Sequence, residues 1–144
     1  MTIFEDLVSK NTKRILAGAS AIRTLRDRAE LMNLASHLAE IRKSTRNISL
    51  GGALRPNSSH LDFAIRKLEF IRDSHECLCA LYEMDDLYDP QTEQKSGHIR
   101  ILGTTLLDGK WIDFYECECM ECGVRYRVEE REYHYTWWKW ERLT

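Results

Sequence analysis

The sequence predicts an α+β fold, with N-terminal helices packed on a C-terminal four-stranded antiparallel sheet. Two observations carry that expectation. Apolar residues recur every three or four positions as far as Ser74 and at every second position after it. Helices therefore precede strands instead of alternating with them, which separates α+β from α/β chains. The change of period divides the 144 residues into a helical region of two or three helices, 1–74, and an antiparallel β region, 75–144. The two are expected to form one compact unit.

The first helix is marked by Thr2 ahead of Ile3 and Phe4, with Glu5 three positions on, a capping-box pattern. Phe4, Leu7, Val8 and Ile15 continue it, and Gly18 reads as a break. Ile22, Leu25, Ala29, Met32, Ala35, Leu38 and Ile41 predict one amphipathic helix of about 25 residues. Arg23, Arg26, Asp27, Arg28 and Glu30 fill its other face. Gly51, Gly52 and Pro56 punctuate a loop from Ser44 to Asn57. No Gly-Lys-Ser/Thr follows the glycine pair, so it is not a phosphate loop. Ser58 or Ser59 is expected to cap a last helix with Leu61, Ala64, Ile65, Leu68 and Ile71 on its apolar face, widened by Phe63 and Phe70.

Four strands are expected: Cys77 to Met84, His98 to Leu107, Lys110 to Cys119, and Val124 to about Trp140 with a bend near Glu130. A polar loop, Asp85 to Gly97, separates the first two. Asp108-Gly109 between apolar runs is a hairpin signal, and Met120 to Gly123 is a tight turn. Arg125, Arg127 and Arg131 share one face of the last strand, where cross-strand pairing with Glu116 and Glu118 accounts for them.

Charge is polarised along the chain. Residues 1–57 hold 10 Lys/Arg against 5 Asp/Glu, whereas residues 75–144 hold 8 against 15, a balance of +5 against −7. No apolar run approaches the ~20 residues that span a bilayer, and the first residues lack the basic and apolar stretches of a signal peptide. A cytoplasmic protein with no membrane partner is the expectation.

All five cysteines fall in the second region: Cys77, Cys79, Cys117, Cys119 and Cys122. A Cys119-x-x-Cys122-Gly123 turn between antiparallel strands has the chemistry of a zinc knuckle, since the turn aims backbone N–H groups at the sulfurs. Two thiolates need two more to complete a tetrahedral site, and Cys77-x-Cys79 is the natural second pair. On a straight strand those two would stand about 6.5–7 Å apart, so either the chain kinks at Leu78, or one of the pair is replaced by Cys117 or His75. The expected ligands of a structural Zn²⁺ are Cys77, Cys79, Cys119 and Cys122. The layout over residues 75–128 resembles a zinc ribbon, with Cys-x-Cys in place of the usual first Cys-x-x-Cys. A redox pair would sit at a helix N-terminus, and a deaminase site needs His-x-Glu with Pro-Cys-x-x-Cys; neither pattern is met.

The acidic segment around Asp85, Asp86 and Asp89 does not have calcium-loop spacing. With Tyr88 and Leu87 as apolar anchors it is the expected partner-binding surface. Tyr135, Trp137, Trp138 and Trp140 lie among glutamates that repel phosphate, so base stacking is disfavoured against sheet core or a subunit interface, the latter compatible with a homodimer. No catalytic triad, dinucleotide fingerprint or zinc-protease motif is present. The function expected is therefore non-enzymatic protein binding, in size and character similar to small bacterial immunity proteins: an inhibitor neutralising a basic partner such as a toxin nuclease. The alternative is a zinc-ribbon nucleic-acid-binding regulator that contacts phosphates through Arg14, Arg23, Arg26, Arg28, Arg42, Lys43 and Arg46.

Overall fold

The structure, a computed structural model, describes residues 2–52, 55–109 and 111–143, without the side chain of Tyr133. Lys110 and the Ala53-Leu54 stretch of the expected loop lie outside the described residues. The chain is α+β and forms two compact units, Met1–His75 and Glu76–Thr144. No helix is long and apolar enough to cross a membrane among the described residues.

Among its described residues the first unit contains five helices: α1 (Ile3–Leu7), α2 (Thr12–Thr24), α3 (Arg28–Ala35), α4 (Leu38–Thr45) and α5 (Ser58–Asp73). The single long helix expected over residues 22–41 is thus interrupted twice. Leu25 turns extended, and the Asp27 carboxylate caps a new helix by accepting from the N–H groups of Ala29 and Glu30. The apolar period runs through this break, so periodicity alone conceals it. Gly18 is no break. It lies buried inside α2, where an added Cβ would meet Leu7 Cγ at 3.1 Å, so its missing side chain lets α1 pack closely. Thr2 caps α1 as its pattern predicts, accepting from Glu5 N at 3.1 Å. Neither Ser58 nor Ser59 caps α5; the N-cap is Asn57, and Ser59 Oγ donates back to Pro56 O at 2.7 Å. Leu7, Ile15, Ile22, Leu31, Ile41 and Leu68 are wholly buried.

Lys67 lies on the inner face of α5 and is 2% exposed. Its ammonium donates to the carbonyls of Ile22 at 2.7 Å, Arg23 at 3.0 Å and Leu25 at 2.7 Å. These carbonyls lie at the C-terminal end of α2, where intrahelical donors run out and a cation is favoured, although Ile22 O also accepts from Leu25 N at 3.2 Å. The buried charge therefore fixes the site where α2 stops.

The second unit holds a 3-10 helical segment (Leu78–Met84), α6 (Pro90–Lys95) and four strands: β1 (Ile99–Leu107), β2 (Trp111–Cys119), β3 (Arg125–Tyr133) and β4 (Tyr135–Arg142). The sheet is antiparallel in the order β1-β2-β3-β4, with the 3-10 segment against β4 and α6 against β1. Of the four strands expected, those over 98–107 and 110–119 stand as β1 and β2, whereas the first and last expectations change. Residues 77–84 are not a strand. Leu78, Cys79, Leu81 and Tyr82 are buried, and Leu81 and Tyr82 follow Leu78 at a spacing of three and four that the short Cys-Leu-Cys-Ala run masks. The long last strand is two strands folded back at His134, whose φ is +65°. That reversal uses no Gly, Pro, Asn or Asp, so it carries no turn signal. The expected polar loop contains α6, capped by Asp89 with Pro90 in its first turn.

Asp108 and Gly109 both take positive φ at the β1–β2 reversal, as the hairpin signal requires. Glu116 lies opposite Arg127 and Glu118 opposite Arg125, as the alternation predicts. The core of this unit is aromatic. Tyr82 stacks on Trp140 at 4.2 Å between centroids, with Tyr88 and Tyr126 edge-on at 4.9 and 5.6 Å to Tyr82 and Trp140 respectively. The Trp140 indole donates to Tyr88 O at 2.9 Å, so its polar edge is satisfied while buried.

Candidate metal centre

Two backbone turns build the centre. In the first, the chain leaves an extended Cys77 directly into the 3-10 segment, and Ala80 N donates to Cys77 O at 3.1 Å. That bend brings the sulfurs of Cys77 and Cys79 together, which a straight strand would have kept apart. In the second, β2 ends at Cys119 and the chain reverses through Gly123, whose φ is +77° and whose N–H donates to Cys119 O at 2.9 Å. A residue with a Cβ would be strained there. Each turn supplies the same local device: Cys77 Sγ accepts from the N–H of Cys79, and Cys122 Sγ accepts from the N–H of Val124.

The four sulfurs of Cys77, Cys79, Cys119 and Cys122 lie within 4.8 Å of one another. Cys77 to Cys119 is 3.7 Å, and Cys79 to Cys122 is 3.5 Å. Thiolates around one tetrahedral ion with bonds of about 2.3 Å stand about 3.8 Å apart. The spacing is therefore that of a ligand shell. It is too long for disulfides, and all the cysteines are free. Cys117 points elsewhere in the buried core, and neither it nor His75 joins the four.

Without a cation, Cys77 and Cys79 resist ionisation. Burial, reinforced by the neighbouring Cys119 thiol, pushes Cys77 up to about 11, and burial pushes Cys79 higher still. Burial alone pushes Cys117 up to about 12. Cys122 shifts the other way. Its partial burial is outweighed by the Val124 N–H and by hydrogen bonds from the surrounding thiols, so it carries charge more readily than Cys77 or Cys79. Three or four thiolates this close repel one another, and a divalent cation removes that cost. Four sulfurs complete a tetrahedral shell and leave no position for water.

Tyr126 was not among the residues the sequence singled out. Its hydroxyl donates to Cys79 Sγ at 3.1 Å from within the core. Such outer hydrogen bonds orient metal ligands and tune their basicity. No sequence signal singled it out: the β2–β3 register pairs it with Cys117, and its reach to Cys79 depends on the fold of the 3-10 segment.

The acidic segment is built into the unit more than it is displayed. Tyr88, expected as an exposed anchor, is 7% exposed and packs on Tyr82, because its ring completes the aromatic core. The Asp89 carboxylate caps α6 by accepting from Gln91 N at 2.9 Å. Asp86 O accepts from Trp138 N at 2.9 Å, tying the segment to β4. Asp85 and Asp86 keep partial exposure. Among the basic residues of the first unit, Arg14 pairs with Asp6 at 3.0 Å, Arg42 with Glu69 at 3.1 Å, and Arg23 lies over the Phe63 ring beside His60.

Compared with known protein families, curated proteins and solved structures, the chain has no match.

Proposed function

We propose that this chain is a non-enzymatic protein-binding protein whose second unit is stapled by one structural Zn²⁺ on Cys77, Cys79, Cys119 and Cys122. The observation that carries the reading is the set of four sulfurs within 4.8 Å, which fills a tetrahedral shell without an open position. Zinc suits an all-thiolate tetrahedral site and brings no redox chemistry of its own. The partner class follows from charge. Residues 76–144 hold 15 acidic against 8 basic side chains, a field that steers basic proteins. An inhibitor of immunity type, covering the phosphate-binding surface of a basic partner such as a toxin nuclease, is the concrete form of this role.

The nucleic-acid reading loses support because Arg14, Arg23 and Arg42 are engaged within their own unit. The test is isolation of the partner from the native host with the zinc-loaded chain. A basic protein whose association rate falls steeply with ionic strength is expected. An acidic partner, or a rate unchanged by salt, contradicts the reading.

A further inference from the structure

The end of the sheet at the β1–β2 reversal differs from the rest of its unit. From Leu102 onward every residue of β1 is exposed. Leu107 is 54% exposed and Trp111 is 69% exposed, although side chains of this size normally repay burial. Beside them a cavity of about 580 Å³ is lined by Leu107, Trp111, Asp113, Glu130, Arg131 and Glu132. Contiguous exposed apolar surface next to polar groups marks interaction sites.

Among the described residues, the charges lining that cavity do not cancel. Arg131 is held by Asp113, its Nη1 donating to Oδ1 at 3.0 Å, and its Nη2 lies 3.6 Å from Glu129. Glu130 Oε1 accepts from two neutral donors, the Tyr115 hydroxyl at 3.0 Å and the Trp138 indole at 2.9 Å, which orient the carboxylate without neutralising it. Glu132 is exposed. The lining thus offers two carboxylates beyond those that balance Arg131, next to an open indole face. A guanidinium or ammonium group matches both, through ion pairing and through cation–π contact with the ring. Two copies of this face would bring like charges together, which disfavours symmetric self-association through it.

We propose that this apolar hairpin tip and its acidic cavity dock a basic segment of a partner protein, with an arginine or lysine side chain in the cavity and its stem against Trp111. The proposal deepens the protein-binding reading and rests on it. It moves the docking surface from the Asp85–Asp89 segment to the β1–β2 reversal and the adjoining stretch of β3.

The probes are two capped peptides, one alternating arginine with leucine and one alternating glutamate with leucine, titrated into the zinc-loaded full chain. The arginine peptide is expected to shift the Trp111 indole resonance and the amides of residues 106–113 and 130–132, and the glutamate peptide to leave them in place. Trp111→Ala and Glu132→Lys, both at exposed positions, should each weaken the arginine peptide about tenfold or more without lowering the unfolding temperature. Equal binding of both peptides, shifts confined to residues 85–89, or the same shifts on concentrating the chain without peptide, which would identify a second copy as the occupant, each overturn the proposal. Peptide binding here in a chain that captures no basic partner would keep the site and overturn the protein-binding reading. A native basic partner indifferent to both substitutions would do the reverse.

Discussion

The two units of this chain reach stability by different routes. The helical unit buries a continuous aliphatic core, including Leu7, Ile15, Ile22, Leu31 and Leu68. The sheet unit is packed only toward its cysteine end. There Tyr82, Tyr115, Tyr126 and Trp140 are buried, whereas the far half of β1 is exposed on both faces. A small, half-covered sheet gains less from burial. The comparison teaches where a metal staple would add most: the unit with the thinner core is the one that carries the four clustered thiols.

The largest expected effect comes from removing the staple. All four tryptophans lie in the second unit, at positions 111, 137, 138 and 140, so tryptophan fluorescence reports on that unit alone. Chelation, Cys79→Ser or Cys122→Ser should abolish its cooperative fluorescence transition, or leave the protein insoluble, while helical ellipticity from the first unit survives. Metal-coupled folding makes the binding free energy a stability term, which is large for thiolate sites. Unchanged melting of both serine variants would erase the distinction between the units.

A smaller effect is expected in the helical unit. Lys67→Met keeps the apolar stem but removes the donor to three carbonyls at the end of α2. Unsatisfied buried acceptors cost about 1–3 kcal/mol, so thermal loss of ellipticity should shift down by several degrees with the tryptophan signal unmoved. A neutral outcome would mean that water replaces the ammonium.

The third contrast is with pH. In the metal-free protein the folded Cys77 thiol is raised to about 11, above the ordinary value of about 8.5. The folded state then holds that proton more tightly than the unfolded state. Its contribution is fully present below about pH 8.5 and is lost as pH rises toward 11. The metal-loaded protein behaves oppositely, because bound thiolates must be deprotonated and acid competes for them. The denaturation midpoint of the metal-loaded second unit should therefore rise from pH 6 toward pH 8, and a midpoint that falls over that range would contradict ligation by thiolates.

Legibility differed between the units for physical reasons. Helices with long periodic faces, such as α5, could be read directly. Breaks inside a period, such as the Asp27 cap and the Lys67-bound end of α2, could not, because both depend on contacts that do not alter the apolar pattern. In the sheet unit the turn signals at Asp108-Gly109 and Cys122-Gly123 placed two reversals correctly. The reversal at His134 left no trace, since Tyr-His-Tyr carries no turn chemistry. The four clustered cysteines were legible from spacing. The bend that lets Cys77 and Cys79 act together was legible as one of two ways to satisfy tetrahedral geometry, the other being replacement of one of them by Cys117 or His75, although the residues beyond it were read as a strand. Tyr88 was misplaced because an aromatic ring between aspartates looks like a surface anchor, whereas here it closes the core.

The central claim is a closed four-sulfur zinc site, and X-ray absorption at the zinc edge on protein purified without added metal tests it most directly. The account predicts about one zinc per chain with a shell of four sulfurs at about 2.3 Å and no nitrogen or oxygen ligand. A chain that retains no zinc, or a shell of three protein ligands completed by a water oxygen, would contradict it.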